Sequence, residues 1–327
     1  MRRYALSDDA RTYDALTHAL TNQGILHMSA TTVTIRDQQF ATLGNGTRLH
    51  YASAGEKGKP LMLFLHGFPE FWYEWHAQLE EFGADHFAVA PDLRGFNLSD
   101  MPNDLAAYKA RHIIDDLERL IGHLGYQTCV LVAHDWGGAI AWALALAKPQ
   151  LLERLIIINA PHPYLFLKAL ATDPAQQKAS DYMNWLRAEG SEAALAKDDF
   201  KLLEGFFVKM GQVSADWFSG PTRERYHAAW KRGLRGGVNY YRATPAHPPT
   251  TTNLGPLKMD LKPEDFTVTV PTRVIWGEAD IALPATLLDG LEQVVTDLQV
   301  QRIPDGSHWV IHEQPERVSR LIRGFLP

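Results

Sequence analysis

Three residues suited to covalent hydrolysis occur in the chain order carboxylate, carboxylate, histidine: Asp135, Asp280 and His308, each following a short apolar run. Asp135 lies in Val132-Ala133-His134-Asp135-Trp136-Gly137-Gly138. There the apolar, β-branched run from Thr128 to Ala133 stops, and an alanine-rich helical pattern begins at Gly138. A buried strand that turns straight into a helix, with small residues where backbones pass closely, is the frame of a nucleophile elbow, usually Gly-x-Ser-x-Gly. Here Ala133 replaces the first glycine and Asp135 the serine, while Gly137 is unchanged.

That replacement selects the electrophile. Serine must lose a proton as it attacks, whereas a carboxylate is already ionised at neutral pH. Carboxylate attack on an acyl carbon would give an anhydride, higher in energy than the ester it came from. Attack on a saturated carbon gives an ordinary ester, so the expected substrate carries a polarised sp³ carbon, in an epoxide ring or a carbon–halogen bond. His308 is then free to activate water against that ester, with Asp280 holding its tautomer and stabilising the imidazolium. Glu278, on the same loop, is a rival for the acid role, and the preceding strand end offers only Asn159. The backbone N–H groups of Phe68 and Trp136 are expected to stabilise the oxyanion. The competing reading of Asp135 is a plain helix N-cap. Two partners in order, and His66-Gly67-Phe68-Pro69 upstream, weigh against it.

The elements that must position these groups read as a mainly parallel, doubly wound α/β sheet. Thr31 to Asp37 and Arg48 to Ala52 are strand-like runs joined through Leu43-Gly44-Asn45-Gly46, a hairpin signal. Leu61 to Leu65, Phe87 to Ala90, Thr128 to Ala133 and Leu155 to Ile158 follow as buried strands. The helix from Tyr108 to Leu124 carries Ile113, Ile114, Leu117, Leu120 and Ile121 on one stripe. After Pro163 the rhythm breaks into helical patterns, and two strand runs return at Thr272 to Trp276 and Leu298 to Ile303 before a closing helix, Gln314 to Phe325. The expected organisation is a helical extension over 1–30, a core over 31–163 and 250–327, and an inserted helical cap over 164–249 that acts as a lid. The site should lie beyond the carboxyl ends of the strands.

The 327 residues carry a formal net charge of −6, with 46% hydrophobic and 21% charged residues. Without a basic stripe, nucleic-acid binding is not expected. No apolar stretch reaches the roughly 20 residues of a membrane span. Asp8, Asp9 and Arg11 interrupt the apolar region that a signal peptide needs, so Met1 to His27 reads as a short amphipathic helix. Cys129 is the single cysteine, which suits a reducing, cytoplasmic setting without disulfides. No histidine and carboxylate spacing matches a zinc site, and no glycine-rich phosphate loop is present. We therefore expect no cofactor and no metal, with a small molecule and water as partners and a monomer or homodimer as the working form.

From Thr31 onward the chain resembles the α/β-hydrolase superfamily. His66-Gly67-Phe68-Pro69-Glu70, Asp92-Leu93-Arg94-Gly95-Phe96, His134-Asp135-Trp136-Gly137-Gly138 and Asn159-Ala160-Pro161-His162-Pro163 resemble its epoxide-hydrolase and haloalkane-dehalogenase branch, and the epoxide hydrolases most closely. The resemblance implies two lid tyrosines that donate to the epoxide oxygen. Ser180-Asp181-Tyr182-Met183 is similar to the segment holding the first, and Val238-Asn239-Tyr240-Tyr241-Arg242 to the segment holding the second, which maps onto Tyr241. Dehalogenases instead hold a halide with indole or amide N–H groups. Trp136 is one such donor, but Phe68 stands where one large group has asparagine, so a lid tryptophan (Trp185, Trp217 or Trp230) would have to substitute. Fluoroacetate dehalogenases carry arginines just after the nucleophile, where this chain has Trp136 and Ala139. His66, Pro69, Trp185, Tyr240 and Trp309 are further candidates to line the pocket. His66 and His134 also read as residues that orient loops, His162 and His312 as structural, and Asp92 and Arg94 as ties between loops at the sheet's end. Asn97 departs from the glycine found in many relatives.

Overall fold

A computed structural model describes residues 33–210 and 215–326. Eight strands form one sheet: β1 (Arg36–Thr42), β2 (Arg48–Ala54), β3 (Leu61–Leu65), β4 (Phe87–Pro91), β5 (Cys129–His134), β6 (Leu152–Ile158), β7 (Thr272–Gly277) and β8 (Leu298–Ile303). Their order is β1-β2-β4-β3-β5-β6-β7-β8. β1 and β2 are antiparallel, β2 is antiparallel to β4, and every later pairing is parallel. Strands β3, β4, β5 and β7 are buried throughout. Helices on both faces require continuous apolar runs of this kind in place of alternation.

The first strand starts later than the sequence pattern suggests. Thr42 pairs with Arg48, and Leu43 N–H bonds the Thr47 carbonyl (2.8 Å) with Gly46 at φ +85°. A tight hairpin ties its strands to the turn, which draws β1 forward to Thr42. The predicted helix at residues 1–30 lies outside the described residues.

Around the sheet run α1 (His76–Phe82), α2 (Ala110–Leu124), α3 (Asp135–Ala147), α11 (Val310–Glu313) and α12 (Pro315–Arg323). The stripe of α2 is buried as its spacing demands, and Gly125 at φ +94° closes that helix in the left-handed conformation. Between β6 and β7 come α4 (Pro163–Thr172), α5 (Pro174–Ala179), α6 (Asp181–Arg187), α7 (Ser191–Leu195), α8 (Lys197–Met210), α9 (Gly220–Trp230) and α10 (Arg235–Ala243). They pack on the loops at the carboxyl ends of the strands: Trp230 donates to the Pro69 carbonyl (2.7 Å), Tyr240 to that of Arg94 (2.9 Å) and Trp309 to that of Phe206 (3.1 Å). Among the described residues, no helix is long and apolar enough to cross a membrane.

Candidate active site

β3 and β5 are neighbours at the point where the strand order reverses, and their loops meet there. The elbow is tight. Asp135 begins α3 with φ +47°, a strained value for a residue bearing a side chain. Gly137 is required because a Cβ there would sit 2.4 Å from the Leu65 carbonyl oxygen. Gly67 is required because its Cβ would lie 2.5 Å from that of Asp135. This close approach lets Phe68 N–H donate to Asp135 Oδ1 at 2.8 Å.

Asp135 Oδ2 stands 3.6 Å from His308 Nε2, and His308 Nδ1 lies 2.7 Å from Asp280 Oδ2. The backbone N–H groups of Ala282 and Leu283 each donate to Asp280 Oδ1 (2.9 Å), and Asn159 Nδ2 donates to Oδ2 (2.9 Å). Every oxygen of this buried carboxylate is thus occupied. Glu278 points away, to Arg302 at the surface (2.8 Å). Burial opposes charge on His308, but Asp280 and Asp135 outweigh it and raise the imidazole well above its usual pKa. Burial likewise opposes the Asp135 carboxylate, yet the adjacent His308 and the Phe68 N–H hold it below its ordinary range.

A cavity of about 380 Å³ opens over Asp135, within the usual size for small-molecule sites. Trp136, Tyr182, Tyr240 and Tyr241 line it, with a largely apolar wall that includes Ile140, Phe166, Met183 and Leu283, and Lys109 and Thr244 among its polar members. Tyr182 and Tyr241 meet edge to face with ring centroids 6.3 Å apart. Burial pushes both phenols up, assisted by the Asp135 carboxylate, while a hydrogen bond from Trp136 opposes the shift at Tyr241. Tyr240 borders the same cavity, but its hydroxyl is spent on the Arg94 carbonyl.

Four pocket assignments from the sequence are corrected. His66 is buried beneath the loops, where its Nε2 accepts from Leu93 N–H (3.0 Å). Pro69 turns to a separate small cleft beside Trp230. Trp309 is buried under α8 through its bond to Phe206. Trp185 is 41% exposed on the outer face of α6. Asn159 went unnoticed as a site residue. It has φ +39°, accepts from Gly277 N–H (2.8 Å) and anchors Asp280. An asparagine at a strand's carboxyl end before Ala160-Pro161 was the available signal. The pairing of Glu74 with His134 was also missed, since nothing local marks Glu74 as buried.

The sequence model of the family described as alpha/beta hydrolase fold matches residues 60–315. The chain is 37% identical over 289 residues to epoxide hydrolase 4 of Mus musculus, covering 86% of this chain and 77% of that protein. It is 36% identical over 295 residues to epoxide hydrolase 3 of Xenopus tropicalis, covering 86% and 75%. Among solved structures it is similar to an epoxide hydrolase of Bacillus megaterium in complex with an inhibitor, with 36% identity, a TM-score of 0.81, and 88% and 99% of the two chains covered. With its elbow, its strand-end histidine and acid, and these relatives, the chain belongs to the α/β-hydrolase family, in the branch whose members are named epoxide hydrolases.

Proposed function

We propose that the protein hydrolyses an epoxide to a vicinal diol through a covalent ester on Asp135. The observation that carries this reading is one ionised carboxylate facing two cavity-lining phenols, with a histidine–aspartate pair behind it. Asp135 attacks a ring carbon, the C–O bond breaks, and Tyr182 or Tyr241 gives its proton to the departing oxygen. His308 then takes a proton from water, and the hydroxide attacks the ester's carbonyl carbon. The Phe68 N–H faces the oxygen on which negative charge develops, and the N–H of Trp136 serves beside it. As the acyl C–O bond breaks, His308 protonates the leaving alkoxide, and the proton left on the restored carboxyl group returns to the tyrosinate.

Halide release is the competing chemistry, and of the tryptophans named for it only Trp136 lines the cavity, which leaves the second indole donor missing. Trp136 meets the Tyr241 ring edge to face (centroids 4.9 Å apart), whereas Trp230 donates to the Pro69 carbonyl, Trp217 stacks on His312 and Trp185 faces solvent. On this reading the helices over 164–249 act as a cap on the core formed by 31–163 and 250–327, and the enzyme works in the cytoplasm. Incubation with an aryl epoxide and with a bromoalkane, assaying diol and bromide side by side, tests the assignment. Diol is expected, and bromide without diol would overturn it.

A further inference from the structure

Glu74 and His134 lie behind the reacting groups, where the His134 ring packs against that of His308 (centroids 4.8 Å apart), and they connect three loops. Glu74, on the turn Trp72–Trp75, is buried. Its Oε2 accepts from Gly67 N–H (3.0 Å), next to the Phe68 amide that bonds Asp135. Its Oε1 lies 2.5 Å from His134 Nδ1. His134 is the residue before the nucleophile, and its Nε2 lies 3.0 Å from the backbone carbonyl oxygen of His308. One carboxyl and one imidazole thus bridge the oxyanion loop, the elbow and the loop carrying the base.

The protons follow from the partners. Nε2 of His134 faces a carbonyl, which only accepts, so this nitrogen carries hydrogen. Gly67 N–H supplies one donor to Glu74, and the remaining contact is Oε1 to Nδ1. The two atoms are in close contact but outside hydrogen-bond geometry, so the pair is held by packing and by its outer bonds to Gly67 and His308. Burial drives the Glu74 carboxyl well above its usual range, with Glu70 adding to it. Burial also lowers His134 to about 4, with His308 contributing. Both directions select the neutral form of each group. A neutral bridge leaves Asp135, His308 and Asp280 as the charges that decide the chemistry.

We propose that Glu74 and His134 are positioning residues that hold the His308 base and the Gly67–Phe68 amides in register with Asp135, and that this bridge serves the ester-hydrolysis half of the reaction. The inference rests on the two-step reading above. Ester formation uses the Asp135 carboxylate and the tyrosine hydroxyls, which the bridge does not touch. Hydrolysis uses the aim of His308 at water and of Phe68 N–H at the carbonyl oxygen, and the bridge ends on the backbone beside each.

The test is steady-state kinetics of the full chain on the aryl epoxide, with intact mass taken on quenched reactions. In Glu74→Leu, slowed hydrolysis should lower kcat about 10- to 100-fold and lower KM with it, while kcat/KM, set by ester formation, stays within about threefold. The ester mass should be visible at steady state. Glu74→Gln keeps the side chain's size and the acceptor for Gly67 N–H, and should restore wild-type kinetics. His134→Phe removes the bond to the His308 carbonyl and should reproduce the Glu74→Leu split, which carries the test should Glu74→Leu fail to fold. A fall in kcat/KM matching that in kcat at unchanged KM, or unaltered kinetics, would overturn the proposal. Diol from the wild type alongside either result sinks only the bridge, whereas no diol from the wild type sinks the underlying reading.

Discussion

The Nε2 atom of His308 stands 3.6 Å from the Oδ2 atom of Asp135, too far for a hydrogen bond. The His308 ring is therefore held from behind, by Asp280 at 2.7 Å, and the Asp135 carboxylate remains open toward the cavity. Two carboxylates raise the His308 pKa in the resting site. On the proposed mechanism Asp135 becomes an ester; its charge then vanishes, one of the two raising influences goes with it, and the imidazole releases its proton more readily.

A difference between two pH profiles follows. Ester formation needs ionised Asp135, whose pKa lies below the ordinary carboxylate range, so kcat/KM should hold its value until strongly acid pH. Hydrolysis needs neutral His308, so kcat, where hydrolysis limits it, should fall as pH drops through the imidazole pKa of the ester. The acid limb of kcat should then lie at higher pH than that of kcat/KM. Coincident limbs would break the argument.

Removing the base should strand the intermediate. In His308→Gln, Asp135 remains ionised and able to attack, but no group accepts water's proton. Intact mass after addition of the aryl epoxide should rise by one whole epoxide molecule. Asp135→Asn should show no such gain. An unchanged His308→Gln mass, with binding demonstrated separately, would exclude a covalent route.

Oxygen labelling follows the same chemistry. In a single turnover in ¹⁸O water with enzyme in excess, hydroxide adds to the Asp135 carboxyl carbon, so label should enter the enzyme before it enters diol. Peptide mapping over the segment containing Asp135 reads this directly. Label found only in the first-turnover diol would mean that water attacks the epoxide itself.

The two adjacent tyrosines of α10 should behave differently. Tyr241→Phe and Tyr182→Phe each remove a donor to the developing alkoxide. Each should lower kcat/KM about 10- to 100-fold, and the double variant should lose more than either. Tyr240→Phe breaks only the bond to the Arg94 carbonyl. It should cost about 1 kcal/mol of stability, seen as a lower melting temperature, and leave turnover within a few-fold. Equal kinetic losses at Tyr240 and Tyr241 would contradict the assignment.

Much of the frame was legible because its signals are local. A strand buried on both faces needs an unbroken apolar run, and β3, β4, β5 and β7 have one, so their limits follow from the sequence within a residue or so. β1, with its mixed burial, lacks that run, and the hairpin turn decided its position. Trp185, His66, Pro69 and Trp309 were placed in the pocket on proximity to motifs. Proximity along the chain does not state which way a side chain faces.

By itself, the sequence determined that the elbow carries a carboxylate in place of serine, from which the proposed attack on a saturated carbon follows, and that an acid and a histidine come after it in that order. These are properties of residue type and chain order, which folding does not change. The sequence favoured Asp280 by position and Tyr241 by resemblance, but tertiary structure alone showed that Asp280 and not Glu278 reaches His308, that the Tyr240 hydroxyl is bound to Arg94, and that Glu74 meets His134. Successive residues on a helix point about 100° apart, so the packing of α10 determines which phenol keeps its hydroxyl toward Asp135. Glu74 and His134 are neighbours only because β3 and β5 pair in parallel and bring their carboxyl-end loops together. At that junction the elbow holds Asp135 at φ +47°, between the Phe68 amide and the His308 ring.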